Sequence, residues 1–526
     1  MKNRLCFLSA LLLIWPGTSG VAQDNIRPDE ILFRRQAVAR LVFDSSQNIP
    51  LSSLKPAMVH DFDLMHPEKL PNSSVRWELA RGQLIASSPG GDSSSIRWAG
   101  GFNPFATYEL IIARVEGSGA AGLVFTHATA KDSLSAFVRF SDGKPEAVTW
   151  NVLLDGKVVV KEEWPVPHDA VLPNLMLRVQ MSAVGVNVFL ESEGRSHLAG
   201  VSDFAQHLDL RERALIQRMD YAVHADLKAD ARVTLTGAAS CLSPGTGQAD
   251  IRAITDEEGV PLLDEGRLWF TMTLRGRALP HPLQGVFSLN PSVFDLRFEG
   301  VIVFDMNDGL LRNDLASHVF RDSKTGTWRG WTTGFSALDG AGRPEVKTIL
   351  AISSVRDPRR GFSIMQARPI GIPGAHEDPH GIYDKESNKW RMLLCEHDKK
   401  YRASMWESDQ WDRGYSRLAG PVEMDSTGTM IQKFGEKRYA LFGSADRTIY
   451  VRNYPDLAPA GELNVESPPW NKQTGTRIWP NVIPLPDGYP APYIALMMDR
   501  VNFPDMPKPN WTYGALYLYH GHPKKP

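Results

Sequence analysis

The stretch HEDPHGIYDKESNKWRMLLCEHD, His376 to Asp398, decides how the chain is read. GIYD and WRMLL read as two short strands, and KESN between them as a tight turn, so the segment is a hairpin. Acidic and histidine side chains crowd both of its ends. A hairpin returns to the side it left, so both polar clusters arrive at one edge. Apolar packing explains the middle of such a unit but not its ends, because buried unpaired charges are costly.

The same grammar recurs. RNDLASHVFRDSKTGTWRGWTTGFS begins at Arg312, MDSTGTMIQKFGEKRYALFGSADR at Met424 and TRIWPNVIPLPDGYPAPYIALMMDR at Thr476. The polar starts are spaced by roughly fifty residues, the repeat length of a propeller blade. A fifth unit is expected from two more strands, Arg267 to Gly276 and Tyr513 to Gly521, whose pairing would close the ring without an open edge. The expectation for 260–522 is a five-bladed β-propeller. Its inner strands would aim their polar starts at one funnel.

Upstream the pattern changes. YELIIARVEG, AGLVFTHAT, LSAFVRFSDG and LMLRVQMSAVGVNVFLESEG alternate or run apolar over six to nine residues, broken at Gly, Asp, Asn or Ser. Residues 58–242 are therefore expected to form an antiparallel β-sandwich whose strand order resembles a concanavalin-like jelly roll. SPGTGQAD, within 243–259, reads as a linker. Residues 23–57 read as helical, because Pro28 and Asp29 suit a helix start. The fold class is all-β.

The chain is 526 residues long, more than one core would serve. Its formal net charge of −2 gives no electrostatic case for nucleic acid or an anionic membrane as partner. MKNRLCFLSALLLIWPGTSGVA, residues 1–22, has a basic start, a short apolar run and small residues before a cut at Gln23. It reads as a secretory signal. No later run of eighteen apolar residues follows, so a soluble periplasmic or secreted protein is expected. Cys241 and Cys395 fall in different predicted domains and read as buried apolar side chains rather than a disulfide. No zinc, nucleotide or redox motif is present, and no cofactor is expected. His376, Asp378 and His380 have ligand-like spacing but lack a third tight partner, so no metal is expected. Oligomeric state is not legible.

The acids that open the inner strands are the candidates for chemistry: Asp314 in RNDLASH, Asp378 in HEDPHG and Asp425 in MDSTG. Glycosidic bond cleavage needs one carboxylate as nucleophile or base and a second carboxyl group as proton donor. RNDLASH, then EDP with its W-x-M-L return strand, then an acid opening the next unit resemble the five-bladed glycoside hydrolases of families 32, 43 and 68. Those enzymes carry a base or nucleophile Asp in blade one, a stabilising Asp in blade two and the general acid in blade three. The resemblance implies Asp314 as nucleophile or base, Asp378 as stabiliser and Asp425 as acid. The sequence departs from the families in two respects. Their acid is usually Glu, whereas here Glu423 lies two residues before Asp425, and the sandwich precedes the propeller instead of following it.

His376, Glu377, His380, Glu396, His397, Asp446, Arg447, Arg477, Trp479, Asp499 and Arg500 are the candidate sugar-binding residues. Asp and Arg grip hydroxyl groups and Trp offers a stacking face. An ion-pair ring at the blade ends is the structural alternative for the Asp–Arg pairs. The expected function is exported hydrolysis of a plant or microbial polysaccharide or oligosaccharide, with arabinofuranosides and fructofuranosides among the candidate substrates. A non-catalytic carbohydrate-binding protein is the alternative. A polysaccharide lyase would want a Tyr or Lys base instead.

Overall fold

The computed structural model describes residues 26–41, 44–54, 73–127, 131–275, 283–335, 348–466, 479–499 and 515–524. The expected signal segment lies outside them. The fold is all-β. Among the described residues no helix is long and apolar enough to cross a membrane.

Two antiparallel sheets occupy the first part. One has six strands and runs Lys157–Pro165, Lys144–Leu154, Ser133–Ser141, Gly119–His127, Met219–Leu227, Ser93–Gly101. The other has eight and is centred on Leu175–Met181, Thr107–Glu116 and Arg232–Leu242. Their strands alternate, and the inward set of both sheets forms one core with Leu110, Ile112, Leu123, Phe125, Trp150, Leu177 and Val179. This unit docks firmly on the C-terminal half of the chain. Arg211 and Arg213 exchange backbone hydrogen bonds with Leu311 and Gly309, Arg213 pairs with Asp305, and Phe105 stacks on Phe362.

The rest is built from five antiparallel meanders. The first is Gly247–Ala253, Arg267–Arg275, Leu283–Asn290 and Asp295–Asp305. The second is Leu315–Arg321, Trp328–Gly334, Thr348–Ser354 and Gly361–Pro369. The third is His376–Asp384, Lys389–His397, Tyr401–Ser408 and Ser416–Ala419. The fourth is Thr427–Phe434, Lys437–Gly443, Ile449–Asn453 and Pro459–Glu462. The fifth is Val482–Pro484, Tyr493–Asp499, Ala515–Pro523 and, from the start of the chain, Ile31–Ala39. The opening strands of successive meanders lie against one another, and Gly247–Ala253 lies against Tyr493–Asp499. The first two meanders are also fused. Their last strands pair in parallel, Gly300–Asp305 on Gly361–Gln366, and Thr255–Asp256 pairs with Phe320–Arg321. That makes one nearly closed, barrel-like sheet.

Four expectations are corrected. Ile31–Ala39 is a strand rather than a helix, because Ile31 and Phe33 alternate inward, and the helical turns of this segment are the short Pro28–Glu30 and Ser45–Gln47. Residues 243–259 are no linker. Gly247–Ala253 is a fully buried strand whose Gln248, Asp250 and Arg252 give it a polar composition. The meander region therefore starts at Gly247 and not near 260. Arg267–Arg275 and Ala515–Pro523 lie in separate sheets, because each finds other neighbours: Gly247–Ala253 for the former, Ile31–Ala39 for the latter. Cys241 and Cys395 are buried free cysteines, in line with the reading of them as buried apolar side chains.

Candidate active site at the strand openings

The opening strands of the first four meanders share one local device. Each breaks register over three residues: Ala249 to Arg252, Leu315 to His318, Glu377 to His380, Thr427 to Met430. Each places one residue at positive φ inside that break: Asp250 at 52°, Ala316 at 55°, Asp378 at 57° and Gly428 at 64°. Aspartate and glycine tolerate this left-handed conformation better than most residues. Bulges of this kind re-aim side chains and gather beside active sites.

Asp378 is buried, and one of its carboxylate oxygens accepts from Gly428 N–H at 2.9 Å and Thr427 Oγ1 at 3.0 Å. The Cys395 thiol lies 3.8 Å from the same oxygen. Burial, with the nearby charges of Glu377 and Asp250, pushes the carboxyl up to about 6 against the opposing Arg252 guanidinium. Asp250 is thus both the register counterpart of Asp378 and close enough to be felt by it. Asp314 is fully buried and accepts the Phe335 N–H at 2.8 Å. Thr333, two residues before Phe335, accepts the Asp378 N–H at 3.1 Å. The end of one strand therefore holds both aspartates.

Asp425 sits differently. It lies three residues before the positive-φ position, is half-buried, and accepts the Ala445 N–H at 3.1 Å. Asp314 lies two residues before that position, and Asp378 occupies it. The three acids are not at equivalent places in their strands.

The candidate binding residues divide. Buried His376 donates from Nδ1 to the Gly374 carbonyl at 3.1 Å and sets its ring edge against Trp406, and burial lowers its pKa. Glu377 accepts from the Tyr401 hydroxyl at 3.0 Å. Glu396 pairs with Arg417 at 2.8 Å, and that guanidinium lies over Trp406. His397 is exposed beside the Tyr401 ring. Exposed Asp446 accepts from Thr448 N and the Tyr450 hydroxyl, and Arg447 continues the same turn at a φ of 72°. His380 is fully enclosed. Its ring stacks on His318 at 4.0 Å, and its Nδ1 accepts the Ile431 N–H at 3.3 Å. Trp479 offers no open face. It is buried, donates from Nε1 to the Ile251 carbonyl at 2.8 Å and carries Arg252 over its ring. Arg477 and Arg500 lie outside the described residues, as does the side chain of Asp499.

Sequence reading missed Asp250, Arg252, Thr427 and Gly428. The signal was present in four short strings: ADIR, LASH, EDPH and TGTM end in a large side chain two residues after the left-handed position. Among the described residues no group of three or more His, Cys, Asp or Glu side chains is placed to hold a metal ion.

No family model and no curated protein matches the chain. Solved structures do. RS223 β-xylosidase is similar at 14% identity, over 52% of this chain and 93% of its own, with a TM-score of 0.37. Bacillus subtilis levansucrase is similar at 10% identity, over 52% of this chain and 83% of its own, with a TM-score of 0.35. The Bacillus subtilis carbohydrate-binding module CBM66 is similar at 19% identity, over 32% of this chain and 96% of its own, with a TM-score of 0.23. No family is assigned to the chain.

Proposed function

We propose that the chain is an exported glycoside hydrolase, with a jelly-roll sandwich followed by a five-bladed propeller. The five meanders and the mutual contact of their opening strands support the propeller. The single observation that carries the activity is Asp378: a buried carboxyl pushed up to about 6, held beside Asp250 and Glu377 and tied through one strand to Asp314. A carboxyl of that kind is half protonated near pH 6 and can give its proton to a leaving oxygen. An ionised aspartate, Asp314 or Asp250, then attacks the anomeric carbon or takes a proton from the attacking water. The meander that opens at Gly247 precedes the one with Asp314. The order of acids along the ring is therefore Asp250, Asp314, then the Glu377–Asp378 pair, which suits the acid of the resembled families better than Asp425 does. The sandwich is accessory, and the carbohydrate is the partner.

The test is a screen of the secreted protein on aryl xylosides, arabinofuranosides and fructofuranosides and on the matching polysaccharides, beside Asp378→Asn. Turnover that falls at least a hundredfold on unactivated substrates in the variant supports the reading. Binding of polysaccharide without turnover by the wild type would replace it with a carbohydrate-binding function.

A further inference from the structure

Arg252 is a buried cation in the opening strand of the first meander, and its role is not apparent from sequence. It sits two residues after Asp250 and is fully enclosed. Its Nη2 donates to the Asp378 carbonyl at 3.0 Å and its Nη1 to the Thr429 carbonyl. Its guanidinium plane lies 4.8 Å over the Trp479 ring. One side chain from the first meander thereby bridges the third, the fourth and the segment that opens the fifth. Thr429 Oγ1 donates to the same Asp378 carbonyl. The peptide after the left-handed Asp378 is thus held by two donors, while the carboxylate end is held by Thr427 and Gly428.

We propose that Arg252 is the positioning residue of the site: it locks the left-handed backbone of Asp378 through that residue's carbonyl and sets a buried positive charge beside it. The catalytic meaning rests on the hydrolase reading, but the lock itself does not. The balance of charge around Asp378 is small in number. Asp250 and Arg252 face it from the first meander, Glu377 from its own strand and Cys395 from the next, while Thr427 and Gly428 of the fourth meander donate to its carboxylate. Arg252 itself faces Asp378, Cys395 and Asp250, and it adds to the burial that lowers the neighbouring His318 and His380. Burial lowers the guanidinium to about 10, so it remains a cation at neutral pH. Among these groups it alone opposes the acids. A lysine would keep the charge but lose the fork that reaches two carbonyls at once.

The experiment titrates Asp378 directly by infrared difference spectroscopy of the carboxyl band, with Asp378→Asn subtracted to isolate it. In Arg252→Gln, which loses the charge and keeps one donor, the midpoint should move up by about one unit or more. In Arg252→Lys it should stay at the wild-type value, while turnover falls about tenfold or more at unchanged KM. Arg252→Met, which copies Met430 at the equivalent position, repeats the uncharged test should the glutamine variant not fold. A folded uncharged variant whose midpoint equals that of wild type would overturn the proposal, as would an equal shift in the lysine variant. A wild type that titrates as described but cleaves nothing would overturn only the hydrolase reading.

Discussion

Acid should unfold this protein through His318, by an amount that can be worked out. The Thr255 hydroxyl donates to the Asp256 carbonyl at 2.7 Å, so its oxygen is left to accept the His318 Nε2–H at 3.1 Å. Nδ1 accepts the Gly381 N–H at 3.3 Å. Both ring nitrogens are committed in the neutral form, and a second proton would have to face an N–H. Burial and the Arg252 charge push the pKa from 6.5 down to about 3. The unfolded chain takes up this proton below pH 6.5 and the folded chain does not until about 3. Stability is therefore whole above 6.5 and is lost as pH falls through that window, at about 1.4 kcal/mol per unit. Between pH 7.5 and 5 the loss is about 2 kcal/mol. Asp378 works in the opposite sense. Its folded pKa is raised to about 6, so the folded state binds its proton first and regains about 1.4 kcal/mol by pH 5. The slope of the whole protein hides both, and the variant His318→Gln separates them. Glutamine can still accept the Gly381 N–H but does not titrate. Urea unfolding followed by tryptophan fluorescence is apt, since Trp331 stacks on His318. The advantage of wild type over the variant should shrink by about 2 kcal/mol from pH 7.5 to 5. An advantage that stays constant across that range would refute a buried, neutral His318.

Gly428→Ala should destabilise by about 2 kcal/mol or more in thermal unfolding, because the new Cβ would stand 2.6 Å from the fixed Trp479 ring at a φ of 64°. Phe33→Ala should cost about 3 to 5 kcal/mol, and limited proteolysis should then cut in the fifth meander first. Asp314→Asn should lower turnover by about 10² to 10⁴ and Asp425→Asn by less than about tenfold. Equal losses in the two would restore Asp425 as the general acid.

The hairpin from His376 to Asp398 was legible because a period of two, a polar turn and a tryptophan return strand all agree locally, and the structure pairs Asp384 with Lys389 across that turn. Asp314 and Asp378 were legible for the same reason, as acids at the starts of strands. Asp250 was not. Its strand carries Gln, Asp and Arg toward other polar groups in the interior, and a buried polar strand has the composition of a linker. Ile31–Ala39 was hidden because its partner is at the far end of the chain and its arginines fit a helix equally well. Trp479 and His380 resemble binding residues in the sequence because a sequence carries the chemistry of a side chain without its depth.

The pairing of Ile31–Ala39 with Ala515–Pro523 sets a clock on synthesis. The first of these strands emerges early, and its partner is made only after the four meanders between them. At ~5–20 residues per second the wait is roughly half a minute to a minute and a half. Throughout it Ile31 and Phe33, which end fully buried, stay without the strand that covers them. Four meanders can fold as they appear, but the fifth cannot, and the early strand must be kept from pairing with the outer edge of an earlier sheet. A change that delays or removes Ala515–Pro523 should therefore be felt first at residue 31.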